Sequence, residues 1–143
     1  MTELGKKIWK ILETPQTAAL ATISEGGAPW VRYVTVCAER DFTLSFCTSL
    51  ASRKATQIAA NPEVHLTCGS LQPPDDSAYL QIAGRAEVRR DQETRNRCWQ
   101  EDWRRYFKGP DDPDYVMIFI HPHRIEYNGI GALEADVWTK ERA

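Results

Sequence analysis

The sequence predicts a mainly β domain, a six-stranded antiparallel barrel, closed or nearly closed, with a few helices. Six apolar, β-rich runs are separated by turn signals, and the helical stretches between them are short. Closing such strands on one another removes the exposed edges that an open sheet would leave. The second run also carries large apolar groups on both faces, Trp30, Arg32, Val34 and Val36 against Val31, Tyr33, Thr35 and Cys37. A strand with one wet face alternates apolar with polar residues, so something is expected to cover this second face.

At 143 residues the chain reads as a single domain, residues 1–143, large enough to bury a core without staples. Residues 1–13 form an amphipathic helix, with Leu4, Ile8 and Leu12 at four-residue spacing and Pro15 just beyond. Lys6, Lys7 and Lys10 interrupt it, so it is not a signal peptide. A strand over 18–24 leads through the turn Glu25-Gly26-Gly27-Ala28-Pro29 into a second strand over 30–38. After an Arg40-Asp41 turn comes a third strand over 42–48. Ser52 then caps a helix running Arg53-Lys54-Ala55-Thr56-Gln57-Ile58-Ala59-Ala60, which Asn61-Pro62 ends. Strands follow over 63–69 and 78–89, joined by a loop with Pro73-Pro74-Asp75-Asp76, and Gly84 marks a bulge or bend. Asp91 caps a helix reaching Phe107, whose Trp99, Trp103 and Phe107 make one apolar face, and Gly109-Pro110 ends it. The sixth strand covers 115–127.

Composition excludes several function classes. A net charge of −2 gives no global attraction to nucleic acid or anionic lipid. No segment is long and apolar enough to span a membrane, and the expected location is cytoplasmic. Cys37, Cys47, Cys68 and Cys98 form no Cys-x-x-Cys pair and fit no zinc spacing, so they read as reduced and structural. Only its place beside Thr48 suggests a redox role for Cys47. His121 and His123 share a strand face but have Pro122 between them and no third ligand nearby, so no metal is expected; His65 reads as a packing residue. Arg89, Arg90, Arg95, Arg97, Arg104 and Arg105 interleave with Trp99, Trp103 and Tyr106, a mixture that small barrels use on single-stranded nucleic acid. Asp91, Glu93, Glu101 and Asp102 among them favour a salt-bridged, solvated face instead.

The chemistry concentrates in Phe46-Cys47-Thr48-Ser49-Leu50-Ala51-Ser52-Arg53-Lys54, where a strand runs into a helix start. Unpaired amides and the dipole make that end receptive to anions, and an Arg fork beside a Lys point charge suits a phosphate dianion. An ordinary capped helix with two solvated cations is the plain alternative. Arg32 lies in an apolar strand and either pairs with a carboxylate, points outward, or joins Arg53 and Lys54 around one anion.

The order of these elements, strand, Gly-Gly turn, strand with Arg32, strand, Thr48-Ser49-x-x-Ser52-Arg53-Lys54, helix and Asn61-Pro62, resembles the pyridoxamine 5′-phosphate oxidase-like family of FMN-binding split barrels. Trp103-Arg104-Arg105-Tyr106-Phe107, Asp111-Asp112-Pro113-Asp114-Tyr115 and Pro122-His123-Arg124-Ile125-Glu126-Tyr127 resemble its general stress protein 26 branch. The resemblance covers residues 15–128, and its Ser-Arg-Lys segment is the most specific part. It implies an FMN cofactor whose phosphate is held by Arg32, Ser52, Arg53 and Lys54. It further implies that Arg32, Tyr33, Val34 and Thr35, together with Cys47 and Thr48, approach the flavin ring, largely through backbone groups. Tyr79 falls where family members present a polar side chain to the flavin. Members are homodimers with two FMN sites at the subunit interface, which would account for the covered face of the second strand.

The implied activity is flavin-dependent hydride transfer with a small molecule or a nicotinamide; no acid or base is identifiable. The vitamin-making oxidases place a Trp after the final Ile/Val-Glu-x and an Arg-x-His segment beyond it. Here that place is Asn128, and residues 129–143 contain no Arg-x-His, so oxidation of pyridoxamine phosphate is not expected. The alternatives are a non-catalytic flavin-binding stress module and a barrel that binds haem or a deazaflavin.

Overall fold

The computed structural model describes residues 1–70 and 77–142. In chain order the elements are α1 (Glu3–Leu12), β1 (Gln16–Ile23), β2 (Pro29–Ala38), β3 (Leu44–Ser49), α2 (Arg53–Ala60), β4 (Glu63–Gly69), β5 (Ala78–Arg89), α3 (Gln92–Cys98), β6 (Tyr115–Gly129) and β7 (Asp136–Thr139). The sheet runs β3-β2-β1-β4-β5-β6-β7, and an additional pairing of β3 with β6 closes six strands into an antiparallel barrel. The predicted split barrel is thus the observed fold. The proline-rich loop falls outside the described residues as far as Asp76.

Strand β6 serves two partners along one edge. Residues from Tyr115 to Ile120 pair with β3, and those from Arg124 to Tyr127 pair with β7. Pro122, which has no N–H, sits between the two sets. The tail therefore adds a seventh strand to the six expected, paired with the end of β6. Its Trp138 is buried and meets Phe42 edge-on, with ring centroids 5.3 Å apart.

Inside the barrel, Leu20, Leu44, Leu66, Leu80, Ile82, Ile118, Ile120 and Ile125 are fully buried. Helix α1 adds Ile8 and Leu12 to this core and is capped by Thr2, whose side chain accepts from the Gly5 amide at 3.0 Å. The predicted bend at Gly84 is a register shift between Ala83 and Gly84. A Cβ on Gly84 would stand 2.8 Å from the His121 carbonyl oxygen, so only glycine allows β5 to approach β6 there.

Three local expectations need correction. The third strand starts at Leu44, because the preceding turn bonds Phe42 N to Glu39 O and puts Phe42 at φ 72°. That left-handed conformation is held by burial of the ring against Trp138. The helix expected to reach Phe107 stops at Cys98; Trp99 is extended in ψ, and a 3₁₀ turn, Glu101–Arg105, follows. The aromatic face survives the break, since Trp99, Trp103 and Phe107 all converge on buried Tyr115 at centroid distances of 5.4, 5.8 and 5.4 Å. His65 is exposed on the outer face of β4 rather than packed.

Candidate functional site

The junction of β3 and α2 is built from hydroxyl bonds. Ser52 Oγ accepts from the Ala55 amide at 3.3 Å and from Thr48 Oγ1 at 3.1 Å, while Ser52 N donates to Ser49 O at 3.0 Å. These contacts fix the first turn of α2. The amides of Arg53 and Lys54 lie there without intrahelical acceptors, which leaves a positive helix end beside two cationic side chains.

Arg32 adds a third charge. It pairs across the sheet with Leu20, a buried residue, so its side chain leaves β2 on the barrel side. Nη1 donates to Thr22 Oγ1 at 2.7 Å and to the Leu20 carbonyl at 3.3 Å, and Nη2 donates to Gln57 Oε1 at 3.0 Å. Every acceptor is neutral. Among the described residues, neither the expected carboxylate pairing nor a simple outward projection is found. Burial, and then the neighbouring Arg53 charge, lowers the Arg32 pKa. Burial, and then Arg32, lowers that of Lys54. Three cations therefore share one region and feel one another. Arg53 stacks over Trp30, 5.0 Å from the ring centroid.

Beside this cluster runs a groove of about 1200 Å³ between the outer face of β2–β3 and the segment that carries Trp99 and Trp103. Tyr33, Val34, Thr35, Cys47, Thr48, Ser52 and Lys54 all line it, so seven of the predicted site residues meet in one place. Its far wall brings Arg97, Arg105 and several aromatic rings. The acidic lining residue, Asp114, accepts from Ser49 Oγ at 2.6 Å. The groove is thus a cationic, aromatic-walled slot, suited to a ligand with an anionic end and a flat apolar body. Burial pushes the Cys47 thiol up to about 11, which leaves it a thiol at neutral pH rather than a redox-active thiolate.

The structure separates the remaining predicted residues. Arg53 lines a neighbouring cleft with Trp30, and Tyr79 stands on β5 opposite Gly69 and Asn128, away from the groove. Thr22, Gln57 and Trp30 were missed. A usable signal for Thr22 existed, a polar residue at an inward position of the run Ala18-Ala19-Leu20-Ala21-Thr22. His121 is exposed, with Nε2 3.2 Å from Glu87 Oε1, and no group of three potential metal ligands occurs among the described residues. Of the interleaved arginines, Arg89 pairs with Asp91 and Glu87, and Arg104 with Glu101. No helix among the described residues is long and apolar enough to cross a membrane.

Comparison with known proteins adds to this geometry. The family model described as "Pyridoxamine 5'-phosphate oxidase" matches residues 4–129. General stress protein 26 of Bacillus subtilis (strain 168) is 30% identical over 129 residues, covering 90% of this chain and 91% of that protein. The crystal structure of General Stress Protein 26 from Bacillus anthracis str. Sterne superimposes with a TM-score of 0.80 at 28% identity, over 96% of this chain and 99% of that one. Relatives by fold differ in what they hold. A pyridoxamine 5′-phosphate oxidase-related, FMN binding protein from Nostoc punctiforme PCC 73102 has a TM-score of 0.67 at 18% identity, over 85% and 78% of the two chains. A heme binding protein from Mycobacterium smegmatis reaches 0.76 at 22%, over 99% and 60%. An F420 reductase reaches 0.64 at 26%, over 82% and 94%.

Proposed function

The chain belongs to the pyridoxamine 5′-phosphate oxidase family, and on that premise we propose that it is an FMN-binding flavoprotein acting as a flavin-dependent oxidoreductase on a small molecule or a nicotinamide. One observation carries the reading: Arg32, Arg53 and Lys54 gather at a helix start with only neutral acceptors around Arg32 and an aromatic-walled groove alongside. Crowding like charges without a counter-charge raises the free energy of the free protein, and an anionic ligand relieves it. A phosphate dianion is the group that Arg forks, a Lys and exposed amides bind together.

In this reading Ser52, Arg53, Lys54 and Arg32 hold the phosphate, and the groove lining from Tyr33 to Thr35 and at Cys47-Thr48 holds the ring. FMN, when bound, supplies reversible hydride acceptance. The protein positions the ring and excludes water from one side of it. Val31 and Tyr33, 64% and 79% exposed, share the outer face of β2, which no helix among the described residues covers. A second copy of the chain covering that face would complete two FMN sites in a homodimer.

Pyridoxamine phosphate is not the expected substrate. Asn128 donates to Gln81 Oε1 at 3.3 Å, and the tail that follows is spent on β7 and on burying Trp138. A haem reading draws on the heme binding protein among the fold relatives, but no histidine lines the groove among the described residues. The absorption spectrum of the purified protein is the deciding experiment. Flavin bands, with FMN bound at least about tenfold tighter than riboflavin, are expected from the loss of a charge-assisted contact worth about 1.5–3 kcal/mol. A Soret band, or equal affinity for the two flavins, would overturn the assignment. Oxidation of a reduced nicotinamide by the loaded protein separates an enzyme from a passive flavin carrier.

A further inference from the structure

We infer that Gln57 and Thr22 are specificity-determining positioning residues, a neutral clamp that fixes Arg32 while leaving its full charge for an anionic ligand. The inference rests on the phosphate reading given above. Thr22 is fully buried and Gln57 nearly so, at 0% and 8% exposure. Thr22 Oγ1 donates to Gln57 Oε1 at 2.5 Å and accepts from Arg32 Nη1 at 2.7 Å; Gln57 Oε1 also accepts from Arg32 Nη2 at 3.0 Å. A guanidinium only donates, so these contacts fix the orientation of the Gln57 amide. The three side chains come from β1, β2 and α2, and the clamp therefore ties the phosphate-facing helix to the barrel wall.

The choice of acceptors is the informative part. A half-buried arginine is ordinarily compensated by a carboxylate, because leaving it unpaired is costly. Gln57 has the length and position of a glutamate and lacks only its charge. Such a substitution would stabilise Arg32 locally and cancel its field at the helix start. A neutral clamp keeps the geometry and exports the charge. Arg53 adds to the uncompensated potential, as the lowered Arg32 pKa reflects.

The test compares Gln57→Glu with Gln57→Met in the full-length protein, reading FMN and riboflavin affinities by fluorescence quenching and thermal stability of the flavin-free form. Gln57→Glu keeps an acceptor for Arg32 but adds a charge; Gln57→Met removes the acceptor and stays neutral. The clamp predicts that Gln57→Glu loses about tenfold or more of the preference for FMN over riboflavin, one charge-assisted contact, with riboflavin affinity and melting temperature held. Gln57→Met is expected to keep most of the preference. A structural role predicts the reverse order, because only Met breaks the hydrogen bonds. Retained preference in Gln57→Glu, or equal loss in both variants, overturns the inference. A wild-type protein with no preference for FMN overturns the phosphate reading itself, and the two failures are thereby distinct. If Gln57→Glu does not fold, Thr22→Asp serves in its place, with a carboxylate set against Arg32 Nη1: a lost FMN preference there supports the inference and a kept one overturns it.

Discussion

The Arg53 guanidinium lies 5.0 Å from the centroid of the Trp30 ring, across the gap between α2 and the start of β2. A ring face attracts a cation without neutralising it, so this contact orients Arg53 and leaves its charge intact. Trp30 is itself half-exposed and adds little to the core. Trp30→Ala is therefore expected to weaken FMN binding by about two- to fivefold, the scale of an exposed cation–π contact of about 0.5–1 kcal/mol. Riboflavin binding should change much less. A flavin titration of the variant checks this, and an equal loss for both flavins would show that the indole touches the ring system instead.

Replacing Arg53 and Lys54 together with Ala removes two of the three clustered cations. FMN affinity should fall by on the order of a hundredfold, since two charge-assisted contacts are lost. Stability of the flavin-free protein should hold or rise, because burial and Arg32 already disfavour the charged form of Lys54. Thermal melts with and without FMN read both quantities. A variant that loses several degrees in the free form and keeps its flavin would place the anion site elsewhere.

Where punctuation is local, the fold was legible in the chain. Strands β4 and β5 begin and end where expected, set between Pro62, Gly69 and the Asp91 cap, and Gly84 announced its own bulge. Cys47-Thr48, Ser52 and Lys54 lie in a stretch readable from hydroxyls and cations at a strand–helix junction, whereas Tyr33 to Thr35 were joined to it only through the family resemblance; all of them line the groove. The misses are long-range. No Gly or Pro marks the break after Cys98; it follows from docking Trp99 and Trp103 on Tyr115, with Trp99 Nε1 donating to Glu101 at 3.0 Å. Strand β7 is four residues long and is stabilised by a distant partner, Phe42. The acceptors of Arg32 lie 10, 12 and 25 residues away in sequence, beyond what any local pattern encodes.

Alkaline pH should act on the core through Cys68. Its side chain is 4% exposed, and burial pushes the thiol from 9.0 up to about 11. Between those values the unfolded chain has lost the proton and the folded chain retains it. The native state then binds more protons, so stability falls as pH rises, by at most about 1.4 kcal/mol per pH unit from this group. Below the unfolded value the contribution is fully present. Cys68→Ala removes this slope and costs about 1 kcal/mol in lost packing at neutral pH. Urea midpoints of the two proteins should converge from pH about 8 to about 10. Parallel curves would show that Cys68 does not titrate as its burial implies.

The open face of β2 links the oligomeric state to flavin binding through Tyr33. Tyr33, at 79% exposure, lines the groove and also shares the exposed outer face of β2 with Val31, so one residue belongs to both the site and the surface proposed to meet a second copy. Side chains of this size are seldom left together in water, and no helix among the described residues covers them. A carboxylate at Tyr33 would be buried without a partner in such an interface, at a cost on the order of several kcal/mol, enough to split a micromolar dimer. It would also bring negative charge toward a phosphate-bearing ligand. Tyr33→Glu is therefore expected to sediment as a monomer and to lose its flavin absorbance in the same sample, while its far-ultraviolet spectrum stays that of a β protein. Tyr33→Phe, which keeps the apolar contact, should remain dimeric and yellow. A Tyr33→Glu protein that keeps both mass and flavin, or a wild type that is monomeric at micromolar concentration, would show that this face meets solvent and that each chain forms its site alone.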